Sequence, residues 1–150
     1  MAETEKGIKL DVLFNQLPEL GASDLHLKAG NPPIYRIGGE LHRAKMEPLT
    51  GKQIYSLVEE WLGHDRMTEL YQKGSLDLGH TFAKGRVRVN LFLQRGELSL
   101  AARLVTDKIP SLEDLHLPAS LARLTDEMQG LVLVCGITGS GKSTTLASLL

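Results

Sequence analysis

Gly136-Ile137-Thr138-Gly139-Ser140-Gly141-Lys142-Ser143 fits the spacing G-x-x-x-x-G-K-[ST] at every fixed position, with Thr144 and Thr145 behind it. Glycines at these places let successive backbone N–H groups turn inward around an anion, in conformations that a side chain obstructs. A lysine after the last glycine reaches the terminal phosphates of a nucleotide, and a serine hydroxyl next to it is a Mg²⁺ ligand. The spacing therefore nominates Gly136, Thr138, Gly139, Ser140, Gly141, Lys142, Ser143 and Thr144 as a binding loop for ATP, with Lys142 also catalytic and Ser143 on the metal. A Gly/Ser-rich turn can imitate such a pattern, so the flanks decide. Residues 131–135, Leu-Val-Leu-Val-Cys, read as a buried parallel strand, and residues 142–150 read as the helix whose N-terminus completes the anion site.

A second set of groups suited to phosphate lies upstream. With Arg95-Gly96 as a two-residue turn, residues 86–104 form a hairpin in which Val87, Val89, Leu91 and Leu93 face Leu104, Ala102, Leu100 and Leu98. The same register sets Arg88 opposite Arg103 on the other face. Two convergent guanidinium groups either splay into water, meet carboxylates such as Glu97, or clamp a phosphate bidentately. A phosphate loop in the same chain favours the clamp.

The composition fits an ordinary globular chain: 150 residues, 42% apolar, 23% charged and a formal net charge of −1. That balance argues against a general nucleic-acid binder. No apolar run is long enough to span a bilayer, the N-terminus does not resemble a signal peptide, and the single cysteine, Cys135, fits a reducing cytoplasm as a small apolar residue of the 131–135 strand. The five histidines show no metal-ligand spacing.

The elements that must carry these residues can be read in order. Leu10, Leu13, Phe14 and Leu17 share one helical face, closed by Gly21. Residues 23–28 alternate as a strand, with Leu25 and Leu27 inward and Asp24, His26 and Lys28 outward. Gly38-Gly39 joins residues 34–37 to residues 40–42 as a hairpin. Thr50 and Gln53 form a capping box before a helix striped by Ile54, Leu57, Val58 and Trp61. Asp65 is expected to cap a second helix, packed by Met67, Leu70 and Tyr71 and stopped by Gly74. Three strands follow up to residue 105. After a linker at 106–110, Ser111 and Asp114 suggest another cap, and Leu121, Leu124 and Met128 a helix closed by Gly130. The reading is α+β: an antiparallel sheet with flanking helices over residues 1–105, then the start of a P-loop α/β domain over 106–150. Residues 147–150 carry no helix stop signal and no second acid for Mg²⁺ follows the loop, so the chain is read as the front part of a longer protein, without ATPase turnover by itself.

Three ordered stretches carry a family resemblance. Ser23-Asp24-Leu25-His26-Leu27 with Gly30-x-Pro32-Pro33 and Arg36-x-Gly38-Gly39, then residues 86–92, then residues 130–145, resemble the PilT-type twitching-motility ATPases of the type II/IV secretion superfamily. The family commonly has proline where Ile137 stands and often threonine at Cys135; neither change removes a loop N–H. The resemblance implies a PAS-like N-terminal domain followed by a RecA-like ATPase domain. It also implies a homo-hexameric, ATP-driven motor for type IV pilus retraction, cytoplasmic and peripheral at the inner face of the membrane, acting on an inner-membrane pilus platform protein. It further implies that Arg88 and Arg103 sense the γ-phosphate, with Arg86 a further candidate. Pilus-extension and type II secretion ATPases are the alternative within the superfamily; the short stretch before Ser23 favours retraction. A non-enzymatic PAS-like sensor or interaction module is the alternative of another class.

Overall fold

A computed structural model describes residues 8–105, 109–137 and 139–150; residues 1–7, linker residues 106–108 and Thr138 of the binding loop lie outside the described residues. The chain divides into two units, Met1–Val105 and Thr106–Leu150.

In the first unit, helix α1 (Leu10–Glu19) buries Leu10, Leu13, Phe14 and Leu17, the expected i, i+3, i+4, i+7 stripe. Strands β1 (Ala22–Leu27), β2 (Ile34–Ile37) and β3 (Glu40–Arg43) form one antiparallel meander. Gly38 and Gly39, at φ 57° and 90°, make its tight turn. Helix α2 (Gly51–Leu62) opens on the full capping box: the Gln53 N–H donates to Thr50 Oγ1 at 3.2 Å and the Thr50 N–H to Gln53 Oε1 at 2.8 Å. Helix α3 (His64–Lys73) follows directly and ends at Gly74. Strands β4 (Ser75–Phe82), β5 (Gly85–Gln94) and β6 (Glu97–Val105) form the second meander.

The two meanders join through β1 and β6, giving the antiparallel sheet order β3-β2-β1-β6-β5-β4. The apolar alternation of β5 and β6 puts Val87, Val89, Leu91, Leu98, Leu100 and Ala102 on one face, with Leu25 and Leu27 of β1 and the stripes of α1, α2 and α3. This is a mixed α+β domain with its helices collected against one side of the sheet.

Several local expectations are corrected. Asp65 is not a cap: α3 begins at His64 with Gly63 as N-cap and no side-chain bond there, so Asp65 sits within the first turn. Tyr71 is exposed and packs against Tyr55, with ring centroids 6.3 Å apart. Asp24 does point away from the helices, yet it is buried, because cations on neighbouring strands close over it.

In the second unit, the Ser111 N–H donates to Asp114 Oδ2 (3.0 Å) and the Asp114 N–H to Ser111 Oγ (3.1 Å), the reciprocal cap expected there. The helix expected over Leu121, Leu124 and Met128 is instead a 3₁₀ segment, Ala119–Thr125, that buries nothing fully. Met128 falls beyond it and is exposed. The strand expected over residues 131–135 does not form, and Leu131, Val132, Leu133 and Cys135 are exposed. A strand's backbone groups must pair with a neighbouring strand, and the second unit offers none among the described residues. Helix α4 (Lys142–Leu149) does form, because a helix satisfies its N–H and C=O groups internally.

Candidate functional site: a phosphate loop and a row of arginines

The loop of the second unit is built by its glycines. Gly139 and Gly141 lie at φ 81° and 88°, in the left-handed region. Between them the Ser140 N–H donates to Ile137 O at 3.2 Å, a tight turn, and the Thr145 N–H reaches Gly141 O at 2.8 Å to start α4. Gly136 lies close under Ser140: a Cβ there would stand 2.6 Å from Ser140 Oγ, so the hydroxyl would have to turn away. Lys142 Nζ donates to Ile137 O at 2.6 Å and so ties the two limbs of the loop together. Ser143 and Thr144 are exposed in the first turn of α4, where the helix dipole and unpaired N–H groups favour an anion. The Lys142 bond to Ile137 O uses one of the three N–H groups of the ammonium, so two remain for a phosphate. The residues present suit Mg·ATP: a cation, a hydroxyl for the metal and a helix N-terminus.

The hairpin register of the first unit is the one expected. Arg95 and Gly96 both have positive φ (55° and 80°), Gln94 pairs with Glu97, and Arg88 stands opposite Arg103. The row continues across the open face: Arg36 of β2 pairs with Asp24 of β1, Asp24 with Arg103 of β6, and Arg88 of β5 with Gly79 of β4. Arg86 lies two residues from Arg88 on the same face; Gly79 makes room for it, since a Cβ there would come 3.0 Å from Arg86 Nη2.

Both arginines opposite each other have carboxylate partners, and neither partner is Glu97. Arg88 Nε donates to both oxygens of Asp77, at 3.1 and 3.2 Å, and its Nη2 donates to Asp77 Oδ2 as well. Arg103 Nε donates to Asp24 Oδ1 at 2.8 Å. Glu97 lies instead against Gly51 in the first turn of α2, where a carboxylate complements the helix dipole. The pair's bonds hold the Asp77 carboxyl below its usual range and raise Arg88. Burial works to raise Asp24, but the Ser23 hydroxyl, Arg103 and His26 outweigh it and its pKa is lowered. Neither Asp24 nor Asp77 is among the partners expected from the sequence. Asp77 would have emerged from the β4–β5 register, but Asp24 needed the pairing of β1 with β6, which local patterning does not reveal.

No protein-family model matches the chain. It is 37% identical over 131 residues to the type IV pilus retraction ATPase PilT of Pseudomonas aeruginosa, covering 87% of this chain and 38% of that protein. Among solved structures it is similar to the pilus retraction motor PilT with bound ADP, at 38% identity and a TM-score of 0.82, covering 95% of this chain and 42% of that one. The ATPase DotB of Legionella pneumophila is similar at 25% identity and a TM-score of 0.79, covering 99% of this chain and 44% of that one. Sheet, loop and likeness together define the class: the N-terminal part of a secretion ATPase. Within that class the chain belongs to the PilT-type family. It spans about 38% of the length of the P. aeruginosa relative.

Proposed function

We propose that the whole protein is an ATP-driven motor of the pilus-retraction type. Residues 1–105 are its PAS-like domain, and residues 106–150 open its RecA-like ATPase domain. Mg·ATP binds at Gly136, Gly139, Ser140, Gly141, Lys142, Ser143 and Thr144, with Thr138 as the remaining loop residue. Backbone N–H groups hold the phosphates, Lys142 neutralises their terminal charge and Ser143 binds the metal. Arg88 and Arg103 sense the γ-phosphate, and its loss is coupled to movement of the domains. The motor works as a homo-hexamer at the cytoplasmic face of the inner membrane, against a pilus platform protein. Retraction rather than extension or secretion rests on the likeness to PilT. Among the described residues no helix is long and apolar enough to cross a membrane.

The observation that carries the mechanism is the facing pair Arg88 and Arg103 on the open side of the sheet, in a chain whose residues 136–143 also match the full G-x-x-x-x-G-K-[ST] spacing. Transition-state charge in phosphoryl transfer is stabilised by such arginines. In the whole protein, Arg88→Ala or Arg103→Ala is expected to cut ATPase turnover by about tenfold or more, while ADP, which lacks the γ-phosphate, still binds nearly as well. Wild-type turnover in both variants would refute the reading.

A further inference from the structure

Ser23-Asp24 and Arg36-x-Gly38-Gly39 carry part of the family resemblance, yet the proposed function gives neither stretch a task. In the fold they meet at one carboxylate. The pairing of β1 with β2 shifts register between Ala22 and Asp24, which makes Ser23 the extra residue of a bulge. The Ser23 hydroxyl donates to Asp24 Oδ2 at 2.7 Å. Arg36 brings Nε to 3.5 Å from the same oxygen, while its Nη1 donates to Gly39 O at 2.9 Å in the β2–β3 turn. Both of these contacts fall on Oδ2. The other oxygen, Oδ1, accepts from Arg103 Nε at 2.8 Å.

The Asp24 side chain is 8% exposed and that of Arg103 73%. A buried carboxylate held at one oxygen by two neighbours presents its second oxygen in a set direction. An arginine standing in solvent has no such constraint of its own, because its long side chain has many rotamers. Among the described residues Asp24 is the only hydrogen-bond or ion-pair partner of the Arg103 side chain. The bond is made at Nε, so both terminal nitrogens stay unbonded while the guanidinium is held.

We propose that Asp24 is the positioning residue for Arg103: Ser23 and Arg36 fix its carboxylate, and the carboxylate fixes the guanidinium whose terminal nitrogens take the γ-phosphate. This rests on reading Arg103 as a γ-phosphate ligand. It gives the Ser23-Asp24 bulge and the Arg36–Gly39 turn a part in nucleotide sensing, through β1, a strand with no phosphate ligand of its own.

The test is a mutant cycle on the whole protein, read by calorimetry as the ratio of its affinity for a non-hydrolysable ATP analogue to its affinity for ADP. A variant that merely folds less well binds both nucleotides less, and its ratio stays put. Asp24→Ala is expected to lower the ratio about threefold in the wild-type background and to leave it unchanged on Arg103→Ala, where the side chain to be aimed is missing. Charge alone has the opposite sign, since removing an anion favours the more highly charged nucleotide. Asp24→Asn runs through the same cycle and decides the matter if the alanine variant does not fold. Its amide has one acceptor oxygen for three donors, so its ratio should fall in the same direction by less. An unchanged or raised ratio in the Asp24 variant, or an equal fall in both backgrounds, overturns the positioning role and leaves Arg103 its γ-phosphate. If Arg103→Ala itself keeps the wild-type ratio, the γ-phosphate reading falls and the role of Asp24 with it.

Discussion

Asp24 shows how much one side chain's environment sets its chemistry. Its carboxylate is buried on the open face of the sheet and is kept charged by Ser23, Arg103 and His26 against the effect of burial, with Arg36 Nε 3.5 Å away. Because its folded pKa lies below the unfolded one, it contributes stability above the unfolded value, about 3.9, and loses it as pH falls through the folded value. Asp24→Asn should therefore lower stability near neutral pH by about 1–2 kcal/mol and flatten the acid limb of a plot of urea midpoint against pH. An acid limb as steep as the wild type's would contradict this. Asp77 also has a lowered pKa, from its bond to Arg88, but it stands in solvent. Its pair should weaken with added salt, and the Asp24 cluster much less. Tyr35 is the contrasting case: burial pushes its hydroxyl up to about 12, and that hydroxyl donates to Gln16 Oε1 at 2.7 Å, tying β2 to α1.

Among the elements, α1 does most to join the helices to the sheet. Phe14 is fully buried, with ring centroids 5.9 Å from Trp61 of α2 and 5.8 and 6.1 Å from His80 and Phe82 of β4. Asp11, one turn earlier, lies 2.9 Å from His80 Nε2, and Trp61 Nε1 approaches the same nitrogen at 3.4 Å. Phe14→Ala would open a cavity where three elements meet and should cost about 3–5 kcal/mol. Trp61 is the chain's single tryptophan, so its fluorescence during denaturant unfolding reads that loss directly. A loss below about 1 kcal/mol would mean the cluster collapses onto the gap. The α2 cap is a smaller device: Thr50→Ala should cost about 1 kcal/mol in the same assay.

At the scale of the whole chain, the two units differ in how their backbone is satisfied. Strand β5 is central in its meander and pairs on both sides, whereas residues 131–136 have no regular pairing. Amide hydrogens of residues 131–136 are expected to exchange far faster than those of residues 86–93, tracking local opening. Equal protection in the monomeric chain would show that 131–136 has found a partner after all. If so, the exposed Leu131, Val132 and Leu133 would be covered in the same experiment.

What the sequence determined by itself is what short-range physics controls. The i, i+3, i+4 stripe of α1, the Thr50–Gln53 box, the positive-φ turns at Gly38-Gly39 and Arg95-Gly96, and the glycine spacing of the phosphate loop all act within a few residues. The Arg88–Arg103 register belonged to that class too, since a two-residue turn fixes every pair above it. Tertiary structure alone decided that Asp24 meets Arg103, because the two are brought together only when β1 pairs with β6 across almost the whole first unit. It also decided the fate of residues 131–135. Their apolar run is a strand only where another strand supplies the hydrogen bonds, whereas α4 makes its own and so was readable from the start.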